Sequence, residues 1–362
     1  MSKAAELAAL IGSQTALSNR NLIINGAMQV AQRGTSSTSN GYATLDRWNT
    51  SRSNLDDAVI TFSQDTDVPS GEGFAKSFKV NVGTAESALA ADEQLNFHQR
   101  FEGQNLQSLK KGTSSAVSST VSFFVKSNTT GTYIVELFDN DNSRIMCKSY
   151  TISSANTWEN KIITFPGDTT GAMDNDANRS MDVRWWLAAG TNFTSGSLGT
   201  SWASTVAANR AVGQVNLLAS TNNWYITGIQ WELGEQATPF EHEDAGTTLQ
   251  KCQRYYYKLK SSSSNNFFGY AMAANTTAMY LAVPFPVEMR SNPTSIDVTA
   301  GSSGNIGYWL GGAVTAFTSI GISESGPSMT TLVMQVSSGL SGEKMYGVLP
   351  NGSGSIGFSS EL

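Results

Sequence analysis

Period-two alternation is the pattern that most constrains this 362-residue chain. In "QLNFHQRF" (94–101), Leu95, Phe97, Gln99 and Phe101 share one face of an extended strand. Val121, Phe123 and Val125 do so in "TVSFFVKS" (120–127), and Tyr133, Val135 and Leu137 in "TYIVELF" (132–138). "KSFKVNV", "NKIITF", "MDVRWWLAAG" and "ITGIQWEL" extend the series, and "NLIINGAMQV" (21–30) reads as a further apolar run broken at Asn25-Gly26. Between these runs lie "SNTTG", "FDNDNS", "GDTTGAMDNDAN" and "TSGSLGTS", built from residues that favour turns. Many short strands with such connections predict an all-β chain, a jelly-roll β-sandwich.

Composition agrees with strands over helices. Charged residues make up 14% of the chain, against roughly 25% in an ordinary soluble domain. The 33 glycines suit turns and suit long helices badly. One segment is an exception: residues 3–17, where Ala4, Leu7, Ala8, Leu10 and Ile11 recur at helical spacing. It is too short to be stable alone, so it reads as a frayed end or as a docking and trimer-forming peg.

Trp231 and Leu233 end the strand "ITGIQWEL", and Gly234, Thr238 and Pro239 stop it, with more than a hundred residues still to come. Past Glu243 the composition shifts. "DAGTTLQKCQRYYYKL" predicts one or two helical turns before a strand, and residues 255–362 hold only nine charged side chains. The expected organisation is therefore an N-terminal helix (1–20), a jelly roll (21–243) and a small C-terminal β domain (244–362).

The net charge of −6 argues against a nucleic-acid backbone binder, and no apolar run is long enough to predict a membrane-spanning helix. The N-terminus is a poor secretory signal, and Cys147 and Cys252 suggest no disulfide framework. The chain is expected to be made in a reducing cytoplasm.

Enzymatic readings are weak. His98 and His242 come with no Gly-x-Ser-x-Gly elbow. The pairs Asp139/Asp141 and Asp174/Asp176 each sit in an Asn/Asp-rich turn, where such residues bond their own backbone. "DNDNS" (139–143) spaces oxygens as a calcium loop does but lacks the glycine and glutamate that complete one. No catalytic residue, metal ligand or cofactor is assigned. Sugar contact needs aromatic faces beside hydroxyl-binding groups. Trp309 and Tyr308 in "GNIGYWLGG", Trp202 in a Gly/Ser loop, and Trp186 are the candidates. Trp185 and Trp186 are adjacent, so alternation puts only one of them in the core.

Three stretches carry a resemblance: "NLIINGAMQVAQRGTSS…YATLDRW", "RFEGQNLQSLKKG…VSFFVKSNTTGTYIVEL" and "WYITGIQWELGEQATPFEHE". Together they resemble a domain of bacteriophage tail-fibre proteins that is similar to the jelly-roll carbohydrate-binding modules of glycan-degrading enzymes. "LQKCQRYYYK" and "VPFPVEMRSNP" resemble the segments that follow it. The resemblance spans roughly residues 21–295. It implies a non-enzymatic virion component, homotrimeric, attached to a tail adaptor or tail tube through its N-terminal helix. It also implies contact with host cell-surface polysaccharide, with no nucleic acid bound and no membrane insertion. In modules of this kind a structural calcium often lies near the last strand, where Glu232 is placed. The alternatives are a capsid-decorating or head-fibre protein without a receptor role, and the secreted binding module of a glycan-degrading enzyme. On this reading host contact falls in the C-terminal domain, through Tyr308 and Trp309.

Overall fold

The structure, a computed structural model, describes residues 20–261, 263, 266–299 and 306–362. The helix expected over residues 3–17 lies outside the described residues. The chain divides into two compact units, one ending at Ala245 and one spanning Gly246–Glu361.

The first unit is an antiparallel β-sandwich of the expected jelly-roll class. Its strands begin with β1 (Ser36–Ser37), β2 (Asn49–Ser53), β3 (Val59–Asp65), β4 (Ser77–Thr84), β5 (Gln94–Glu102) and β6 (Ser119–Ser127). They continue with β7 (Gly131–Asp139), β8 (Arg144–Ile152), β9 (Glu159–Phe165), β10 (Arg179–Ala189), β11 (Ala203–Ser204) and β12 (Asn223–Leu233). One sheet has the order β1-β3-β4-β12-β6-β9 and the other β11-β8-β7-β10-β5-β2. The alternating residues supply one shared core. Phe97 stacks between Trp48 and Phe78, at centroid distances of 4.5 and 4.3 Å, and Trp185 and Trp224 meet it edgewise or tilted. Burying such rings is the main stabilising contribution here, about 1.5–3 kcal/mol each.

Two expectations are corrected. "NLIINGAMQV" is not a strand: its backbone bonds to side chains and to β12 instead of to a ladder. Asn21 Oδ1 accepts from the Trp231 amide at 3.0 Å, and Gln99 both donates to and accepts from the backbone of Ile24. Asn25 likewise donates to the carbonyls of Val30 and Asp46. Gly26 is needed where this segment meets β12, since a Cβ there would lie 2.1 Å from the Ile229 carbonyl oxygen. Secondly, Trp185 and Trp186 are both fully buried. Trp185 enters the sandwich core, as alternation requires. Trp186 leaves on the outer face of its sheet, where Ile134, Ile145, Cys147 and Ala211 form a second small core with it. The cover comes from residues 191–215, tied down by bonds such as Cys147 N–H to the Gly199 carbonyl and Val215 N–H to the Thr132 carbonyl.

The second unit opens with a helix, Ala245–Gln253, and continues all-β. Its strands are β13 (Tyr256–Ser261), β14 (Gly269–Ala273), β15 (Ala278–Pro284), β16 (Ile296–Thr299) and β17 (Ile306–Leu310). They are followed by β18 (Ala313–Ala316), β19 (Ser319–Ser325), β20 (Met329–Gln335), β21 (Met345–Pro350) and β22 (Gly354–Ser359). A seven-stranded sheet has the order β18-β17-β21-β14-β15-β20-β19, and a three-stranded sheet the order β13-β22-β16. Their inner faces share a core that includes Leu281, Leu332, Val348, Ile356 and Phe358.

Candidate functional site

The outer face of the β4-β12-β6-β9 surface carries an aromatic groove. Its floor consists of Ser122 and Phe124 from β6, Asn160 and Ile162 from β9, and Gly228 from β12. These are the alternate positions to Val121, Phe123 and Ile163, which face the core. The walls come from two connections that pack on each other: Glu72 with Phe74, and Ala237–Phe240 with His242. The groove encloses about 400 Å³.

Gly228 makes this arrangement possible. The pairing of β12 with β6 shifts between Thr227 and Gln230, and Gly228 takes a left-handed φ of 61° in the bulge. A Cβ there would lie 2.5 Å from Phe74 Cζ, so the phenyl ring reaches the sheet only over a glycine. Phe74 then meets Phe124, Phe240 and His242 at centroid distances of 5.6, 5.0 and 5.1 Å. The wall 237–242 is held by Glu232, which accepts from the Thr238 amide at 2.8 Å and from its hydroxyl at 2.7 Å. Glu241 adds a bond from its amide to the Gln230 side chain.

The same face continues past Phe124 to Lys126 on β6 and to Tyr225 on β12, which are paired in register. Lys126 Nζ lies 4.6 Å from the Tyr225 ring centre and 5.4 Å from that of Trp158. Asp67 joins this group by accepting from Trp158 Nε1 at 3.0 Å and pairing with Lys126. Lys79 approaches the Tyr225 ring at 5.1 Å and Asp65 at 3.4 Å. The strip thus offers flat aromatic faces beside amide, hydroxyl, carboxylate and ammonium groups. A second opening, about 450 Å³ and lined by Thr38, Arg52, Asn54 and Val59 among others, has no aromatic lining residue.

The "DNDNS" turn is occupied by a side chain of the protein itself. Lys111 Nζ lies 2.5 Å from Asp139 Oδ2 and 3.1 Å from Asp168 Oδ2, and donates to the carbonyls of Thr170 and Gly171 at 3.0 and 2.8 Å. Arg144 closes the cage with two bonds to Asp168, at 2.7 and 2.9 Å. Burial raises the Asp168 pKa, but the bonds from Arg144, the Thr170 amide and Lys111 outweigh it and hold the carboxyl below its usual range. The other members of the predicted acidic pairs serve turns. Asp141 accepts from the Asp174 amide, and Asp176 from the Asn178 amide. Among the described residues no group of three or more His, Cys, Asp or Glu is placed to hold a metal ion.

The four residues expected to face a sugar are not brought together, since two lie in each unit. Trp186 donates to Glu136 at 2.6 Å, and Arg210 and Arg184 stand over its ring at 5.3 and 5.8 Å. Buried in this way, it has no free face, which corrects the expectation for this residue. Trp202 is half-buried, donates to the Pro166 carbonyl at 2.7 Å and lies 5.5 Å from the Lys111 ammonium, so it caps the cage. Tyr308 points into the core of the second unit, against Phe317 and Tyr346. Trp309 alone of the four keeps an exposed ring, 43% accessible. His98 is buried on β5 with Nδ1 2.9 Å from Asn96, and burial pushes its pKa well below the usual histidine value. Of the groove residues, His242 stood out in the sequence only as a weak catalytic candidate, and Phe74, Phe124 and Phe240 were not singled out. They come from four places along the chain, and the one signal was the glycine interrupting "ITGIQWEL".

Comparison with known proteins gives no family match and no curated relative. Solved structures do show similarities. Part of this chain, 59%, aligns with 21% of the enzymatically active domain of tailspike protein 4 from bacteriophage CBA120, at 13% identity and a TM-score of 0.32. A sugar-binding protein from Bacteroides thetaiotaomicron aligns with 59% of this chain over 99% of its own length, at 12% identity and a TM-score of 0.34. The family 11 carbohydrate-binding module of Clostridium thermocellum, in complex with a mixed-linked tetrasaccharide, aligns over 56% and 98% at 11% identity and a TM-score of 0.29. At such values function has to be argued from the residues of this chain.

Proposed function

We propose that this is a non-catalytic glycan-contacting protein of a phage fibre, and that the outer face of β4, β12, β6 and β9 meets the sugar. The groove over Gly228 carries the reading. It leaves Phe124 and Phe240 half-exposed, where the C–H face of a pyranose can lie on a ring, and the buried Phe74 holds them in place. Ser122, Asn160, Glu72 and His242 stand around them to meet hydroxyl groups. This moves the expected sugar contact from Tyr308 and Trp309 to the first unit. The virion role rests on the sequence resemblance. A binding module of a secreted glycan-degrading enzyme would use the same groove, so labelling the protein in intact virions is what separates those two settings.

Titration of the full chain against host envelope polysaccharide tests the site. Replacing Phe240 or Phe124 by alanine should weaken binding about tenfold with the fold intact, the worth of one aromatic contact. Unchanged affinity in both variants would remove the groove from the account. No reducing ends should be released in the same incubation.

A further inference from the structure

We propose that the outward face of the seven-stranded sheet in the second unit is a self-association face, covered by a second copy of this chain. The argument is independent of the glycan groove. Tyr346, Val348, Ala271 and Leu281 point into the core, so their neighbours Met345, Gly347, Tyr270, Met272 and Tyr280 point outward. Tyr270 pairs with Gly347, while Met272 pairs with both Met345 and Tyr280. The Phe267 ring lies over Gly347, where a Cβ would come 2.2 Å from it, and stacks on Tyr270 with centroids 5.7 Å apart. Trp309 follows the inward-pointing Tyr308, which pairs with Val348, and therefore leaves on the same outward face.

These six side chains form one patch, and they are 38% to 66% exposed. Together they present on the order of 600 Å², against roughly 800 Å² per partner in a standard interface. Single exposed apolar residues need no explanation, but a contiguous face of this size does. The chemistry also selects the occupant. Of the seven strands only β19 contains a charged residue, Glu324. A glycan would find few amides or carboxylates here, and a charged polymer few charges, Glu324 on the sheet and Glu343 and Lys344 beside it. A second copy brings an equally neutral face rich in Tyr, Phe, Trp and Met, so contact buries no unpaired charge.

The test uses the full chain. Sedimentation should show association at micromolar concentration, and the double variant Tyr270→Glu, Met345→Glu should weaken it at least about a hundredfold with thermal stability retained. Both positions are exposed, so the charges are tolerated in the free chain. A second measurement covers association through another segment. In a Met272→Cys variant a short bismaleimide should link two chains, because the native Cys147 and Cys252 are buried. A monomeric wild type, a double variant as associated as wild type, or no cross-linked product would each overturn the proposal. So would a monomeric wild type that binds neutral phosphatidylcholine vesicles, which assigns the face to lipid. Phe240→Ala should leave association unchanged, which keeps this result separate from the sugar test.

Discussion

On β10 of the first unit the residues that turn away from the core meet charges. Asp182 is paired with Arg179 at 2.6 Å and Arg184 at 3.0 Å, and Trp186 lies beneath Arg184 and Arg210. On β14 of the second unit the corresponding residues, Tyr270 and Met272, meet solvent. Both strands alternate and both bury one face in an apolar core. What differs is the cover. In the first unit a long connection, residues 191–215, folds back over the sheet and brings Arg210 with it, which gives the buried Glu136 carboxylate a charged partner. In the second unit the outward residues have no such cover among the described residues, and they are apolar. Inward alternation therefore reports a core in either unit, and the outward half of the same strand reports what covers it.

The sharpest way to break this comparison is the Lys111 cage, since it makes the first unit depend on satisfied charge. Lys111→Met should cost about 3–5 kcal/mol by leaving two buried carboxylates one cation short. In calorimetry the transition of the first unit should fall by many degrees, and that of the second should hold. Equal shifts in both would mean the units do not differ as described. Gly228→Ala is milder. A left-handed φ costs a residue with a Cβ about 1–2 kcal/mol, and the displaced Phe74 should take glycan affinity with it. An unchanged titration would separate the bulge from the groove.

How much of this was legible in sequence depends on where each residue's partner lies. Phe78, Phe97 and Val121 could be read because alternation alone puts them in a core. Asn21, Asn25 and Gln99 could not, because amides replace the ladder and turn an apolar run into an irregular segment. Trp186 was misjudged because its cover is a connection with no periodicity of its own. The groove walls, at 72–74 and 237–242, meet only after the sandwich closes. The Lys111 cage was half visible: the oxygens of "DNDNS" suggested a cation, and the cation proved to be an ammonium 28 residues earlier in the chain.

Two smaller effects sharpen the comparison further. Because the folded Asp168 pKa lies below its unfolded value, near 3.9, the stability it contributes is complete above about that pH. That stability is lost as pH falls through the lower folded value. Urea melts at pH 7 and pH 3 should therefore show an acid loss in the first unit that is reduced in Asp168→Asn. An acid loss as large in Asp168→Asn as in the wild type would contradict this sign. Smallest is thiol reactivity. Burial raises the Cys147 pKa, so the native protein should resist alkylation at pH 8 until it is unfolded. Prompt labelling would show that the cover over Trp186 and Cys147 opens readily.

The position of β12 sets the order in which the first unit can form during synthesis. It is the last of the unit's strands to be made, yet it lies between β4 and β6 in the middle of its sheet. Until residue 233 has left the ribosome, β1-β3-β4 and β6-β9 are two separate ribbons, each with an open edge. The segment around Leu22 and Gly26 also waits for Trp231 and Ile229 before its backbone bonds to β12 exist. The nascent chain therefore carries unpaired edges and an uncovered core for nearly the whole time needed to make this unit, and one strand ends both conditions at once.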